Sequence, residues 1–392
     1  MQRMLFTVTG TDKPGITASL TEVLADYGCE LLDVEQVVVQ GQLTLCLLVA
    51  EHQALMALPR LEQVAGQNQL VLQSRVIEVA ESQESDAREY AVTAIGDAVD
   101  ARGVHLLTSV LSTHRANIEK IQRLSDGHLS SLEILISLPV THEIRELRRD
   151  LMTATAELKL DIAVQRDTLA RRNKRLVVMD MDSTLIQIEF IDELARARGV
   201  FEQVAEVTRA AMAGELVFEQ SLRKRVALLK GMPVTEVMKL AYQLPVTEGA
   251  PELLRALRAL GYKTAVISGG FTLAANVLKE QLGLDYAFAN QLEVRDGVLT
   301  GQVVEPIVGA QRKADLLDTL AQRESIPLEQ TIAVGDGAND LPMLERAGLG
   351  IAFHGKPKLC EAADMAIRRG GLDRILYLLG LRERDVRTLL GG

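Results

Sequence analysis

The chain of 392 residues is 47% hydrophobic and 24% charged, a balance that excludes a disordered or collagen-like polymer. At about 100–200 residues per domain, several packed cores are expected. Its 43 Lys and Arg against 53 Asp and Glu give a net charge of −10, which argues against broad binding to nucleic acid or an anionic membrane surface. Aromatic side chains make up 3% with no Trp, so the cores must rest on Leu, Val, Ile, Ala and Met. The three cysteines, Cys29, Cys46 and Cys360, lie far apart and suggest neither a disulfide framework nor a zinc site. No run approaches the roughly 18 apolar residues of a membrane span, and Leu43–Ala50 reads instead as a buried strand. The N-terminal stretch carries no signal-peptide core, so the sequence reads as cytoplasmic.

In chain order, Leu5–Gly10 reads as a strand and Ile16–Gly28 as an amphipathic helix ending at a glycine. Two strand-like runs flank Gly41 as a hairpin; a helix over Gln53–Val64 and a closing strand from Leu70 complete the order βαββαβ. A short polar stretch, Ala80–Glu89, suits a linker, and the same βαββαβ order then repeats from Tyr90 to about Leu169. Twin units of this order mean two ferredoxin-like modules, assigned to 1–82 and 83–172. The basic segment Ala170–Arg175 reads as a solvated linker. From Leu176 apolar strands alternate with helices, which predicts an α/β domain over 173–392 built on a Rossmann-like parallel sheet. The charged, helical texture at about 188–245 predicts a helical cap over the ligand-binding edge of that sheet.

Three strands of this domain end in groups that carry chemistry. LVVMDMDSTL places Asp180 and Asp182 where the strand ends, and in an open α/β sheet ligands bind outside the carboxyl ends of the strands. One carboxylate there can attack while the other moves a proton, although a lone DxD is equally a solvated turn. KTAVISGG ends in Ser268, Gly269 and Gly270, a hydroxyl and exposed N–H groups suited to phosphate oxygens, or simply a strand-to-helix turn. TIAVGDGANDL ends in Asp336, Asn339 and Asp340. Lys313, near a helix start, is by itself an ordinary surface lysine, but a phosphate site needs such a cation in the transition state.

In the order DxDST, S, K, GDxxxD these elements resemble the haloacid dehalogenase superfamily of aspartyl phosphotransferases, from about Arg175 to the C-terminus. The resemblance implies that Asp180 is the nucleophile, that Asp182 is the general acid and base, and that Mg²⁺ is held by Asp180, the Asp182 carbonyl and Asp336. Lys313, Ser268 and the Gly269 N–H would bind the phosphoryl oxygens, with Asn339 and Asp340 supporting metal, water and lysine from behind. The segments DMDSTLIQIEFIDELA and GELVFEQSLRKRVALLKG resemble the phosphoserine phosphatase branch of that superfamily. That branch implies O-phospho-L-serine as substrate, with Glu189 on its ammonium, Arg225 on its carboxylate, and Met212 and Phe218 walling the pocket.

The stretch GTDKPGITASLTEVLADYGCELLD resembles the ACT domain, which implies an amino-acid site at the loop from Asp12 to Gly15. There Gly15 would leave room for a ligand and the following helix N-terminus would favour its carboxylate. The matching loop of the second module lacks the Pro-Gly pair, so a complete ligand site is not expected there. The modules therefore read either as L-serine-sensing regulators or as a dimerisation device, and a homodimer is expected. Two further readings stay open: the same chemistry on another small phosphorylated substrate or acceptor, and an amino-acid-sensing regulator with an inert phosphatase domain. No GxxxxGK[ST] and no GxSxG occurs, which excludes a P-loop kinase and leaves serine-hydrolase chemistry without support.

Overall fold

The computed structural model describes residues 2–78, 87–126 and 130–391, which fall into two compact units, Met1–Ser85 and Asp86–Gly392. Most of the polar linker expected at Ala80–Glu89 lies outside the described residues. The first unit runs β1 (Gln2–Thr11), α1 (Ile16–Asp26), β2 (Leu31–Val39), β3 (Gln42–Ala50), α2 (Glu51–Gln67) and β4 (Val71–Glu78). Its antiparallel sheet has the order β2-β3-β1-β4. Gln40 and Gly41 both take positive φ, 51° and 75°, the backbone that a two-residue hairpin with right-handed strand twist requires. Leu43, Leu45, Leu47 and Val49 of β3 are buried in alternation, against Leu20 and Leu24 of α1 and Ala57 and Leu61 of α2. Every position of β2 is exposed, Val37, Val38 and Val39 included.

The second unit opens with the same order: β5 (Ala87–Ile95), α3 (Ala101–Thr113), β6 (Asn117–Arg123), β7 (Ser131–Pro139), α4 (Ile144–Thr155) and β8 (Asp161–Arg166), in a sheet ordered β6-β7-β5-β8. Burial sets it apart from the first module. Ala91, Val92, Thr93, Ala94 and Ile95 are consecutive and all buried, so both faces of β5 are covered. Ile95 and Ala163 belong to the same apolar cluster as Val177 and Met179 of the α/β sheet, so this module shares a core with the domain that follows it.

The segment between them is not a solvated linker. Thr168 caps a single turn, α5 (Leu169–Arg172), and Arg171 is buried with Nη1 2.8 Å from Glu133 Oε2 and Nε 2.9 Å from Asp167 Oδ1. Lys174 is buried too, its Nζ donating to the Glu329 carbonyl at 2.6 Å. The basic run reads as surface because charge alone does not reveal that carboxylates wait in the neighbouring elements.

The α/β sheet contains β9 (Leu176–Met179), β10 (Lys263–Phe271), β11 (Tyr286–Arg295), β12 (Val298–Val304), β13 (Thr331–Gly335), β14 (Gly350–Phe353) and β15 (Met365–Ile367). Their order is β12-β11-β10-β9-β13-β14-β15, parallel throughout except for the edge strand β12. The central strand β9 is wholly buried and feeds two cores, Val177 and Met179 into one and Leu176 and Val178 into the other. Between β9 and β10 the chain forms the expected cap: α6 (Phe190–Arg198), α7 (Phe201–Met212), α8 (Phe218–Leu228) and α9 (Val234–Ala241). Helices α10 (Ala250–Ala259) and α11 (Thr272–Leu282) cover one face of the sheet, α12 (Ala310–Arg323) and α13 (Leu341–Arg346) the other. The cap's two connections run side by side, paired at Ile186 and Val246 and tied by Gln187 N–H to the Pro245 carbonyl (3.0 Å) and Thr247 N–H to the Leu185 carbonyl (3.0 Å).

Candidate active site

β9 and β13 adjoin at the point where strand order reverses, and the crevice there is where an open α/β sheet binds ligands. Asp180 follows β9 directly, is buried, and accepts the Met181 N–H at 2.7 Å. Lys313, in the first turn of α12, is fully buried, with its Nζ 2.8 Å from Asp180 Oδ1 and 2.7 Å from Asp340 Oδ1. Burial opposes its charge, but contact with the Asp180 and Asp340 carboxylates holds Lys313 above the ordinary lysine value. Burial and then the neighbouring Asp340 push the Asp180 carboxyl upward, against the pull of Lys313.

The chain after Asp180 winds through one wide turn, with Ile186 N–H donating to the Met181 carbonyl at 2.9 Å and Ser183 in the left-handed region at φ 57°. That turn faces Asp182 toward the cap. Its Oδ1 accepts the Phe190 N–H at the start of α6 (2.8 Å), and Ser268 Oγ lies 3.5 Å from its Oδ2. Burial, then repulsion from Glu189, raises Asp182 to about 7, the range in which a carboxyl can both give and take a proton near neutrality.

Ser268 is fully buried on β10 and accepts the Gly270 N–H at 2.8 Å. Gly270 has no room for a side chain: a Cβ there would sit 2.6 Å from Asp182 Oδ2. A residue the sequence reading missed holds this loop. Fully buried Asn290 on β11 donates Nδ2–H to the Gly269 carbonyl (2.8 Å) and accepts the Val308 N–H (2.7 Å). Nothing in AFANQLEV distinguishes that Asn from a strand-end polar residue; its two main-chain partners come from segments remote in sequence.

Asp336 is half-buried beyond β13, raised to about 6 by burial and then by Asp340. Asp180, Asp336 and Asp340 each bring a carboxylate oxygen within 4.8 Å of the others. Asp340 is already saturated, with Oδ1 on Lys313 and Oδ2 taking the Asp336 and Gly337 N–H groups at 3.2 and 3.0 Å. One lysine cannot balance three crowded carboxylates, and an all-oxygen donor set of this kind fits a hard divalent cation such as Mg²⁺. Asn339 is half-buried on the same turn.

Four expected substrate contacts sit on the cap side. Phe218 opens α8 over the glycine loop, so that a Cβ on Gly269 would lie 3.2 Å from its Cζ. Arg225, also on α8, is half-buried; its Nε is buried without a partner, and it faces the charges of Glu189, Asp192 and Asp182. Glu189 is exposed and accepts the Ser183 hydroxyl at 3.0 Å. Met212 stands apart: at the last position of α7 it is 72% exposed.

In the first unit, Asp12 is exposed and its N–H donates to the Gly41 carbonyl at 2.8 Å. Gly15 begins α1 at φ 92° and a Cβ there would meet nothing within 4 Å, so backbone conformation rather than space calls for glycine. No side chain caps α1, whereas Asp100 Oδ1 takes the Gly103 N–H at 2.8 Å and fills the corresponding position of α3.

These strand-end carboxylates on a parallel sheet with an inserted cap define a haloacid dehalogenase-like hydrolase, and that family's model matches residues 174–348; ACT domain models match 2–73 and 89–165. Along 98% of its length the chain is 44% identical to the phosphoserine phosphatase of Streptomyces coelicolor, covering 94% of that protein. A solved structure of a probable phosphoserine phosphatase from Vibrio cholerae matches 80% of the chain and 91% of its own, at 39% identity and TM-score 0.62. A phospho-aspartyl intermediate analogue of phosphoserine phosphatase matches 52% of the chain and 98% of its own, at 51% identity and TM-score 0.50. The chain belongs to the phosphoserine phosphatase family, and by that membership is a phosphatase. Among the described residues no helix is long and apolar enough to cross a membrane.

Proposed function

We propose that this protein hydrolyses O-phospho-L-serine to L-serine and phosphate, the closing step of L-serine biosynthesis, with Mg²⁺ and through an aspartyl-phosphate on Asp180. The observation that carries the reading is the contrast between two carboxyls two residues apart. Asp180 is locked against a buried ammonium at 2.8 Å, whereas Asp182 faces the cap and titrates at about 7. Asp180, the Asp182 carbonyl and Asp336 would hold the metal, which when bound supplies positive charge to the phosphoryl oxygens. Asp180 attacks phosphorus while protonated Asp182 donates its proton to the departing serine oxygen; Asp182 then takes a proton from the water that hydrolyses the acyl phosphate. Lys313, Ser268 and the Gly269 N–H hold the phosphoryl oxygens as their charge grows, and Asn339 and Asp340 support them. That a protein 51% identical over half of this chain is described as a phospho-aspartyl intermediate analogue supports the covalent step.

Arg225 and Glu189 suit the carboxylate and ammonium of a small zwitterion, with Phe218 and Met212 as the apolar wall. The buried, unpartnered Nε of Arg225 favours an anionic substrate group beside it. The reading extends to a cytoplasmic homodimer, supported by the exposed valines of β2, and to L-serine binding at Asp12–Gly15, supported by the uncapped start of α1. Its domains are 1–82, 83–172 and 173–392.

Phosphate release is measured with Mg²⁺ from O-phospho-L-serine, O-phospho-L-threonine and an aryl phosphate, with Asp180→Asn as blank. Selective, Mg²⁺-dependent release from phosphoserine is expected. Activity on the aryl phosphate alone would overturn the substrate, and no release from any would overturn the reaction. Calorimetry with L-serine tests the ACT site: heat that vanishes when the catalytic site is blocked would remove it.

A further inference from the structure

We propose that the cavity between the second ACT module and the phosphatase body is a binding site for a small organic anion carrying a carboxylate or phosphate. The cavity has a volume of about 500 Å³, the size of a metabolite site, and lies wholly within the second compact unit. It uses α4, β8 and the segment after β8 rather than a strand–helix loop, which in this module Asp100 already caps.

Its cations are under-compensated. Arg148, Arg166, Arg171 and Lys174 line it together with two carboxylates, Glu329 and Asp364. Arg171 is committed to Glu133 and Asp167. Arg148 reaches Asp364 only at 3.6 Å; its Nη2 donates to the Val164 carbonyl at 3.2 Å, and its buried Nε has no partner. Lys174 Nζ is matched by a main-chain carbonyl rather than a charge, and Arg166 is exposed. An unpaired buried guanidinium N–H is costly, and the planar fork of Arg148 fits a two-oxygen anion. Tyr90, Ile144, Val164 and Leu349 supply an apolar flank, which favours an organic anion over a bare ion.

The state of Lys174 agrees with this. Burial pushes it down to about 8, against the opposing pull of Asp364 and Glu329 and with Arg171 adding to the fall. An anion seated beside it would restore the charge.

The inference rests on neither the substrate nor the chemistry proposed above, and its readout is binding. Full-length protein with Mg²⁺ is titrated calorimetrically with inorganic phosphate and with malonate, comparing the native chain with Arg148→Gln and Arg166→Glu. Arg166 is exposed, so the charge reversal leaves the melting temperature unchanged and keeps the test independent of folding. A phosphate equivalent present in the native protein and weakened about tenfold or more in both variants supports a phosphoryl ligand. The same pattern with malonate supports a carboxylate ligand. Identical phosphate stoichiometry and affinity in all three proteins, together with no malonate binding, would overturn the proposal.

Discussion

Lys313 Nζ lies 2.8 Å from Asp180 Oδ1 with both side chains sealed from solvent, 1% and 6% exposed. In such a setting the pair acts as a fixed element of charge that needs no reorganisation when negative charge grows on a phosphoryl group. Lys313→Met is therefore expected to lower kcat by about 10²–10³-fold, the scale of losing one preorganised electrostatic contact. It also leaves Asp180 and Asp340 buried without their counter-charge, at a cost of about 3–5 kcal/mol in stability. Asp180→Asn should abolish turnover while keeping the Lys313–Asp340 half of the pair. Steady-state kinetics and thermal melts on both variants separate the two effects.

Asn290 acts on the site from beneath. Its amide satisfies the Gly269 carbonyl and the Val308 N–H, joining the glycine loop to the segment leading into α12. Asn290→Ala strands both buried groups, at about 1–3 kcal/mol each. The loop carrying Ser268 then loses its anchor, and kcat should fall by about tenfold or more through misplacement alone. Unchanged kcat in a destabilised Asn290→Ala protein would reduce Asn290 to a purely structural residue.

Much of this was legible in the chain. Asp180, Asp182, Ser268 and Asp336 each follow or end an apolar run, and strand-end placement brings such residues together in a parallel sheet, while Lys313 reaches them from the first turn of a helix. What stayed hidden depends on partners distant in sequence. Asn290 has no local signature, and the burial of Arg171 and Lys174 follows from Glu133, Asp167 and the Glu329 carbonyl, which lie up to 155 positions away. The two βαββαβ modules read alike because strand and helix periodicity report one covered face. The second module's shared core with the phosphatase body buries the other face as well. Met212 is the converse case, an apolar residue at the end of a cap helix that the fold leaves 72% exposed.

Adjacent glycines should fail differently. A methyl on Gly270 would press within 2.6 Å of both Asp182 Oδ2 and Met181 Cε, whereas one on Gly269 would meet the Phe218 ring at 3.2 Å. Gly270→Ala is expected to displace Asp182, the proposed proton donor, and lower kcat. Gly269→Ala should push the cap aromatic outward and raise KM, with a smaller change in kcat. Equal kcat and KM effects in the two variants would refute this division.

Arg171 tests how the second ACT module is held. It bridges Glu133 on β7 and Asp167 just past β8, with Arg171 and Glu133 side chains 5% and 3% exposed. Arg171→Met orphans two buried carboxylates and should cost about 3–5 kcal/mol, seen as an early unfolding transition in denaturant. Combining it with Glu133→Gln should recover part of that loss. If Arg171→Met unfolds as the native chain does, the network contributes nothing to docking.

The acidic cluster sets a pH dependence whose sign follows from burial. Asp336 is raised to about 6, Asp182 to about 7 and Asp180 well above its ordinary value, burial being the leading cause in each. Without metal the folded protein therefore binds protons that the unfolded chain has released above about pH 4. Their stabilisation is complete below that pH and is lost as pH rises through 6 and 7. The metal-free melting temperature should fall across this window. Held by Asp180 and Asp336 as proposed, Mg²⁺ would have to displace the same protons, so its affinity should weaken as pH drops below about 6. Calorimetry at pH 5.5 and 7.5, in buffers of different ionisation enthalpy, should show more protons released at the lower pH. A Mg²⁺ affinity that stays flat from pH 5 to 8 would take Asp336 out of the ligand set.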